Sequence, residues 1–170
     1  MQSYPVYKVD AFTSHLFGGN PAAVCPLETW LPEHTMQQLA AENNISETAF
    51  IVLENNRYYI RWFTPATEVK LCGHATLAAS HIIFSELKHS ENIIRFDCLS
   101  GPLTVTKTDD GKLTLDFPAN PPKPVAANEI PAGLFEGLGI ENGLVFNTSF
   151  DYMVVLPSQK IIEGLNPDFK

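Results

Sequence analysis

The sequence predicts an α+β fold in which several strands surround one buried helix. Residues 75–87 are apolar on nearly every face of a helix, with Glu86 as the one charged residue, and a helix of this kind is buried all round. Short alternating segments separated by turn residues flank it and predict about seven strands. A proline-rich stretch follows at residues 118–132. These observations indicate a strand-rich lobe around a central helix, followed by a separate segment.

Turn residues and hydrophobic periodicity place the elements of this lobe in order. The predicted strands cover residues 7–12, 22–25, 48–53, 58–64, 93–98, 103–107 and 113–117. A first helix is predicted from Pro32, because proline is favoured in the first turn, to about Asn43. The central helix is predicted to begin at Gly73 or His74 and to run to about Leu87.

The proline-rich stretch argues against a continuing sheet and indicates a linker. We therefore predict an N-terminal lobe at residues 1–118, a linker at 119–132 and the beginning of an incomplete second lobe at 133–170. In this last part, a short helix is predicted near 132–138 and strands near 144–150 and 152–156. A unit of about 50 residues buries little surface, so it is not expected to be stable alone.

Composition and charge indicate which classes of molecule the protein binds. The formal net charge of −8, without any cluster of Lys or Arg, argues against nucleic acid and anionic membranes and favours a small molecule. No run approaches the ~20 apolar residues that span a bilayer, and the N-terminus lacks the regions of a signal peptide, so a cytoplasmic location is expected. The three cysteines are widely spaced, and neither a disulfide framework nor a metal site is predicted.

The start of the central helix is the strongest candidate site. Gly73 lets a ligand approach the backbone closely, and the first N–H groups of a helix have no intrahelical partners, so an anion is the natural occupant. Cys72 and His74 flank this position. A second loop, Gly18-Gly19-Asn20-Pro21, can also bring backbone close to a ligand, and Asn20 either holds that turn or binds the ligand.

Five short motifs extend this interpretation. They are Val9-Asp10-Ala11-Phe12-Thr13, Gly19-Asn20-Pro21-Ala22-Ala23-Val24, Ser46-Glu47-Thr48-Ala49-Phe50, Arg61-Trp62-Phe63-Thr64-Pro65 and Cys72-Gly73-His74-Ala75-Thr76. In this order and spacing they closely resemble the N-terminal part of the phenazine-biosynthesis PhzF-like isomerase family. The resemblance implies a diaminopimelate epimerase-like fold: two similar lobes, each a curved mixed sheet wrapped around a central helix, with the active site between them. We also expect a homodimer.

The resemblance implies a proton transfer between carbons of a small carboxylate-bearing substrate, without a cofactor. Glu47 would be the acid/base, His74 would lie within reach of the substrate, and the amides of Gly73 and His74 would receive its carboxylate. Asn20 would be a further substrate-binding residue. Glu47 stands between a polar helix end and the apolar run 49–53, and this position suits a partly buried base.

Two alternatives stay open. In the related epimerases a Cys-Gly pair also opens a central helix and the cysteine thiolate is a base, so Cys72 is a possible alternative base in an amino-acid racemase or epimerase, and a helix N-terminus would favour its thiolate. The other alternative is a binding or interaction protein without turnover. It arises because the family's second lobe carries a Pro-Ala-Thr-Gly-Ser-like motif that residues 119–170 lack.

Overall fold

The computed structural model describes residues 3–15 and 17–168, and they form an α+β fold as predicted. The chain divides into two compact units, Met1–Phe117 and Pro118–Lys170. The strands of the first unit are β1 (Tyr7–Ala11), β2 (Asn20–Leu27), β3 (Glu47–Glu54), β4 (Arg57–Phe63), β5 (Glu68–Val69), β6 (Ile93–Cys98), β7 (Gly101–Lys107) and β8 (Leu113–Asp116). Its helices are α1 (Glu33–Asn43) and α2 (Gly73–Ser85).

These strands form one mixed sheet that curls around α2. The order is β1-β2-β3-β4-β6-β7-β8, with β5 paired to β4. The β2–β3 and β4–β6 pairs are parallel, and the remaining neighbours are antiparallel. The two edge strands, β1 and β8, both contact α2. A flat sheet cannot bring its opposite edges to one helix, so the predicted curved sheet around a central helix is confirmed.

The sequence of α2 explains its central position. Ala75, Ala78, Ala79, Ile82 and Ile83 are each at most 4% exposed, and the small alanines let the surrounding strands approach closely. The helix ends at Ser85, two residues before the predicted end. It stops because the chain turns at Lys88, where φ is 53°, and Leu87 is left 43% exposed.

The sheet is buried on both faces at β3. In β3, Ala49 and Ile51 pack in the cluster around α2, while Phe50 and Val52 pack in a second cluster with Met36 of α1. Alternate residues of a strand point to opposite faces. The unbroken apolar run of β3 therefore reflects two covered faces, as in buried parallel strands.

The second unit contains short elements. Its strands are β9 (Lys123–Pro124), β10 (Leu144–Asn147) and β11 (Tyr152–Val155), and its helices are α3 (Leu134–Leu138), α4 (Gln159–Glu163) and a 3₁₀ helix, Ala127–Glu129. They form a three-stranded sheet in the order β11-β10-β9.

Two details of this unit differ from the sequence prediction. The proline-rich stretch contributes a strand after all, because β9 is a two-residue edge strand, where a proline is tolerated. Strand β10 ends at Asn147, short of the predicted residue 150, because Thr148 and Asp151 close a turn in which the Thr148 amide donates to the Asp151 carbonyl at 2.8 Å. In the part of the chain that is described, no helix is long and apolar enough to cross a membrane.

Candidate active site

The site is built where the start of β3 meets the start of α2. Glu47 is the first residue of β3, and its parallel pairing with Ala22 sets its register against β2. The extended residue Cys72 precedes α2, and its side chain makes no capping hydrogen bond. The first residues of β3 and α2 bring Glu47 Oε2 within 3.1 Å of His74 Nε2.

The pair is largely enclosed but incompletely bonded. The side chains of Glu47 and His74 are 19% and 10% exposed. Although Glu47 Oε2 and His74 Nε2 are close, both are buried atoms without a hydrogen-bond partner among the described residues. Buried polar atoms of this kind are uncommon, because leaving one unpaired costs roughly 1–3 kcal/mol. Two of them side by side indicate a place where a third polar group belongs.

Cys72 lies on the other side of the His74 ring. Its Sγ is 3.5 Å from His74 Nδ1. Burial raises the pKa of the Cys72 thiol to about 11; the amide of Ala75 acts in the opposite direction, the charge of Glu47 raises the pKa further, and the amide of His74 lowers it. The expectation that the helix start favours the thiolate is therefore wrong, because desolvation outweighs the nearby amides. Burial therefore favours the protonated form of the Cys72 thiol.

Two hydroxyl groups inside α2 hold this turn, and the sequence analysis did not single them out. Thr76 Oγ1 donates to the Cys72 carbonyl at 2.5 Å, and Ser80 Oγ donates to the Thr76 carbonyl at 2.8 Å. Both residues are fully buried. The spacing of two hydroxyl residues four apart in an otherwise apolar helix could have indicated this role, because each hydroxyl can donate to the carbonyl one turn earlier.

Gly73 is not required by the packing of the first unit. A Cβ built on Gly73 would meet only the Phe117 ring carbon Cε2, at 4.0 Å, among the described atoms. Gly19 is different: its φ is +67°, and a Cβ there would lie 2.1 Å from the Ala11 carbonyl oxygen. The backbone therefore requires glycine at position 19, whereas a Cβ at position 73 would make no close contact.

Asn20 lies at the same end of the sheet as Glu47. It is the first residue of β2, and its Oδ1 accepts a hydrogen bond of 3.4 Å from Ser46 Oγ. Because Ser46 directly precedes Glu47, this contact links Asn20 to the start of β3. Asp10, which the sequence analysis quoted in the first motif, accepts from the Phe17 amide at 3.3 Å and so orders the β1–β2 loop.

An anion site at the first turn of α2 requires a cleft that opens there. A groove of about 640 Å³ does lie against α2, but it is lined further along the helix by Leu77, Ala78 and His81, together with residues of β1 and Lys112. Neither Glu47 nor His74 lines it. The carboxylate and the imidazole occupy a more enclosed position than expected.

Glu47, Cys72 and His74 also have the chemistry of metal ligands. One ligand atom from each lies within 4.8 Å of the others. However, Cys72 Sγ approaches Nδ1 of the imidazole and Glu47 Oε2 approaches Nε2. A metal ion binds one ring nitrogen, so these residues would have to rearrange before all three could hold the same ion.

A family model described as phenazine biosynthesis-like protein matches residues 9–170. The chain is 48% identical over 164 residues to an uncharacterized isomerase of Pseudomonas aeruginosa, covering 96% of this chain and 61% of that protein. It is 47% identical over 171 residues to an uncharacterized isomerase of Halalkalibacterium halodurans, covering 99% of this chain and 63% of that protein. The chain thus spans about three fifths of the length of these relatives.

Solved structures of related proteins also match this chain. A PhzF family protein of Enterococcus faecalis matches with a TM-score of 0.87 and 43% identity, covering 99% of this chain and 63% of that one. A predicted epimerase of Pseudomonas aeruginosa matches with a TM-score of 0.61 at 18% identity, covering 96% and 67%, and it shares the fold alone. By the match of its sequence over residues 9–170, this chain belongs to the phenazine biosynthesis-like, or PhzF, family.

Proposed function

We propose that this chain supplies one side of the active site of a cofactor-independent isomerase, with Glu47 as its acid/base. Relatives at 47% and 48% identity are named isomerases. The single observation that carries the proposal is the pair of buried, unpartnered atoms, Glu47 Oε2 and His74 Nε2, 3.1 Å apart at the start of α2. A substrate that entered this position would meet a base and a hydrogen-bonding group together.

The proposed reaction moves one proton. The Glu47 carboxylate removes a proton from a substrate carbon, the electron pair left behind is delocalised within the substrate, and the resulting carboxylic acid returns a proton to another carbon. Nothing is oxidised or reduced overall. His74 would bind the substrate next to the reacting carbon, and the Gly73 and His74 amides would hold the substrate carboxylate, which the positive end of α2 favours. Asn20 would contact the substrate from β2.

The burial of Cys72 argues against the rival cysteine mechanism. Burial raises the pKa of the Cys72 thiol to about 11 and so disfavours the thiolate, which is the basic form. A cysteine-based racemase would need that thiol activated. We therefore assign the base to Glu47.

The second lobe, the substrate class and the oligomeric state belong to the same proposal. We propose that residues from 133 onward begin a second lobe, that the substrate is a small carboxylate, and that the protein is a cytoplasmic homodimer. The PhzF family assignment supports a small-molecule substrate.

Solvent-deuterium exchange tests the proposed base. Full-length protein would be incubated in D₂O with a panel of small unsaturated or α-substituted carboxylates, and deuterium gained at carbon would be followed by mass spectrometry. We expect Glu47→Gln to lower the exchange rate by at least about 10²-fold, the usual contribution of a general base, while carboxylate binding is largely kept. Cys72→Ser should retain most of the exchange.

Glu54→Gln is the matched control, because Glu54 is an exposed glutamate at the opposite end of β3. It should exchange deuterium at the wild-type rate. The proposal fails if Glu47→Gln exchanges normally, and loss of exchange in Cys72→Ser alone would establish the cysteine mechanism. A full-length protein that binds these carboxylates without any exchange would favour the binding-protein alternative.

A further inference from the structure

A buried cysteine, Cys72, lies against the imidazole of His74, the proposed substrate-binding histidine. Cys72 is 8% exposed, and its Sγ lies 3.5 Å from His74 Nδ1. Its carbonyl is held by the Thr76 hydroxyl, which fixes the extended turn before α2. The imidazole of His74 thus lies between a sulfur on its Nδ1 side and a carboxylate on its Nε2 side.

A neutral imidazole carries one proton, and its neighbours decide which nitrogen holds it. Carboxylate oxygens only accept hydrogen bonds, so a proton on Nε2 is favoured by Glu47. A protonated thiol can donate, so Cys72 Sγ, 3.5 Å from His74 Nδ1, favours an unprotonated Nδ1 that can accept. Both neighbours therefore favour the same tautomer, with Nδ1 unprotonated and Nε2 protonated.

We infer that Cys72 is a positioning residue, whose S–H donates to His74 Nδ1 and keeps the imidazole proton on Nε2, on the side of the ring where the substrate would bind. The raised pKa of Cys72 supports this role, because only the protonated sulfur can donate. The consequence for activity rests on the proposed function: an Nε2–H group can donate to a substrate oxygen, and the opposite tautomer cannot. The cysteine of the Cys-Gly-His motif would act through its neighbour rather than as a base.

The tautomer can be measured on this chain without any turnover. Imidazole ¹⁵N shifts distinguish a protonated from an unprotonated ring nitrogen, and they would be recorded at about pH 8. The His74 signals would be assigned by their loss in His74→Asn. We expect wild type to hold the proton on Nε2, and Cys72→Ala to shift the population toward Nδ1–H. Cys72→Ser, which restores a donor, should return it toward wild type.

Cys98→Ala is the matched control, because Cys98 donates to the Gly101 carbonyl at 3.1 Å and takes no part in the His74 contact. It should leave the His74 signals unchanged. If Cys72→Ala loses the folded amide spectrum, Cys72→Val carries the test, because an extended backbone position accepts a β-branched residue that has no donor. An Nδ1–H tautomer in wild type, or an unchanged tautomer in the donorless variant, overturns the inference.

A kinetic arm in the full-length protein separates positioning from packing. Cys72→Ala should lower kcat for proton exchange by about tenfold or more with little change in KM, and Cys72→Ser should recover most of it. A tautomer that shifts without any change in kcat would refute the link to catalysis. Because the ¹⁵N measurement needs no substrate, failure of the tautomer and failure of Glu47 as base are distinguishable.

Discussion

At the scale of single residues, the central feature is a pair of buried polar atoms without hydrogen-bond partners in an apolar lobe. Glu47, at the start of β3, and His74, at the start of α2, approach each other, and among the described residues Oε2 and Nε2 have no hydrogen-bond partner. Such an arrangement costs stability in the free protein, and natural proteins keep such costs mainly at functional sites. Close to this pair, a Cβ added at Gly73 would meet only the Phe117 ring, at 4.0 Å, among the described atoms.

A Gly73→Ala substitution should separate binding from folding. A Cβ at this position meets only the Phe117 ring at 4.0 Å, so we expect the free energy of unfolding to change by less than about 1 kcal/mol. The added methyl group would occupy the proposed place of the substrate carboxylate and raise KM for exchange at least tenfold. Denaturant unfolding and exchange kinetics on the same preparation measure both effects.

Gly19→Ala provides the contrasting variant. Its added Cβ would lie 2.1 Å from the Ala11 carbonyl oxygen at a φ of +67°, so it should destabilise the fold by about 1–3 kcal/mol or more. A Gly73→Ala protein that is as destabilised as Gly19→Ala, or that keeps the wild-type KM, would show that Gly73 serves the fold rather than the ligand.

At the scale of elements, the structure shows how one helix organises a mixed sheet. The two edge strands both contact α2, so this helix is the axis around which the sheet curls. Its alanines permit close approach, and its buried hydroxyl groups at Thr76 and Ser80 bond back to backbone carbonyls. The helix therefore supports the site directly, because its first turn carries His74.

Truncation of α2 side chains should show which of them form the core. Ile83 is fully buried, whereas Leu87 is 43% exposed just beyond the helix. Ile83→Ala should lower the free energy of unfolding by about 2–5 kcal/mol through loss of burial and creation of a cavity, and Leu87→Ala should lower it by less than about 0.5 kcal/mol. Equal losses in urea unfolding would contradict the central position of α2.

Most of the helices and strands could be predicted from the sequence, because hydrophobic periodicity and turn residues act locally. The buried helix at residues 73–85 and the strand sequence around it follow from apolar patterning. The helix end and the end of β10 could not be placed, because a backbone turn at Lys88 and a hydroxyl-closed turn at Thr148 decide them. The approach of Glu47 to His74 depends on long-range strand register, and only the motif resemblance pointed to it.

The protonation state of Cys72 was beyond prediction for a related reason. The helix start is visible in sequence and favours a thiolate, but the degree of burial is a property of the folded lobe. Once Cys72 is 8% exposed, desolvation decides the direction of its pKa. The sequence located the residue, and the structure determined its chemistry.

At the scale of the whole molecule, the chain corresponds to about three fifths of its relatives, at 61% and 63% of their lengths. The first unit contains the proposed site residues Glu47, His74, Gly73 and Asn20. The family resemblance places further substrate contacts on a second lobe, and the expected Pro-Ala-Thr-Gly-Ser-like motif is not among residues 119–170. One set of contacts holds a substrate from one side, and catalysis needs the reacting groups held in a defined geometry.

A protein made only of these 170 residues should therefore fold its first unit but not turn over as an isolated monomer. Circular dichroism and the amide NMR spectrum would establish folding, and deuterium exchange into small carboxylates would report activity, with a full-length relative assayed in parallel. Exchange by a verified monomer at a rate close to that of the relative would show that the described residues contain a sufficient site.

The most direct test of the central claim is a crystal structure of the full-length protein with a bound, unreactive carboxylate analogue of a substrate identified by exchange. The account predicts that the analogue's carboxylate lies at the Gly73 amide and that the carbon to be deprotonated lies within about 3.5 Å of a Glu47 carboxylate oxygen, a reactive approach distance. His74 Nε2 should donate to the same molecule. An analogue bound elsewhere, such as the groove beside Leu77 and His81, with Glu47 and His74 still facing only each other, would contradict it.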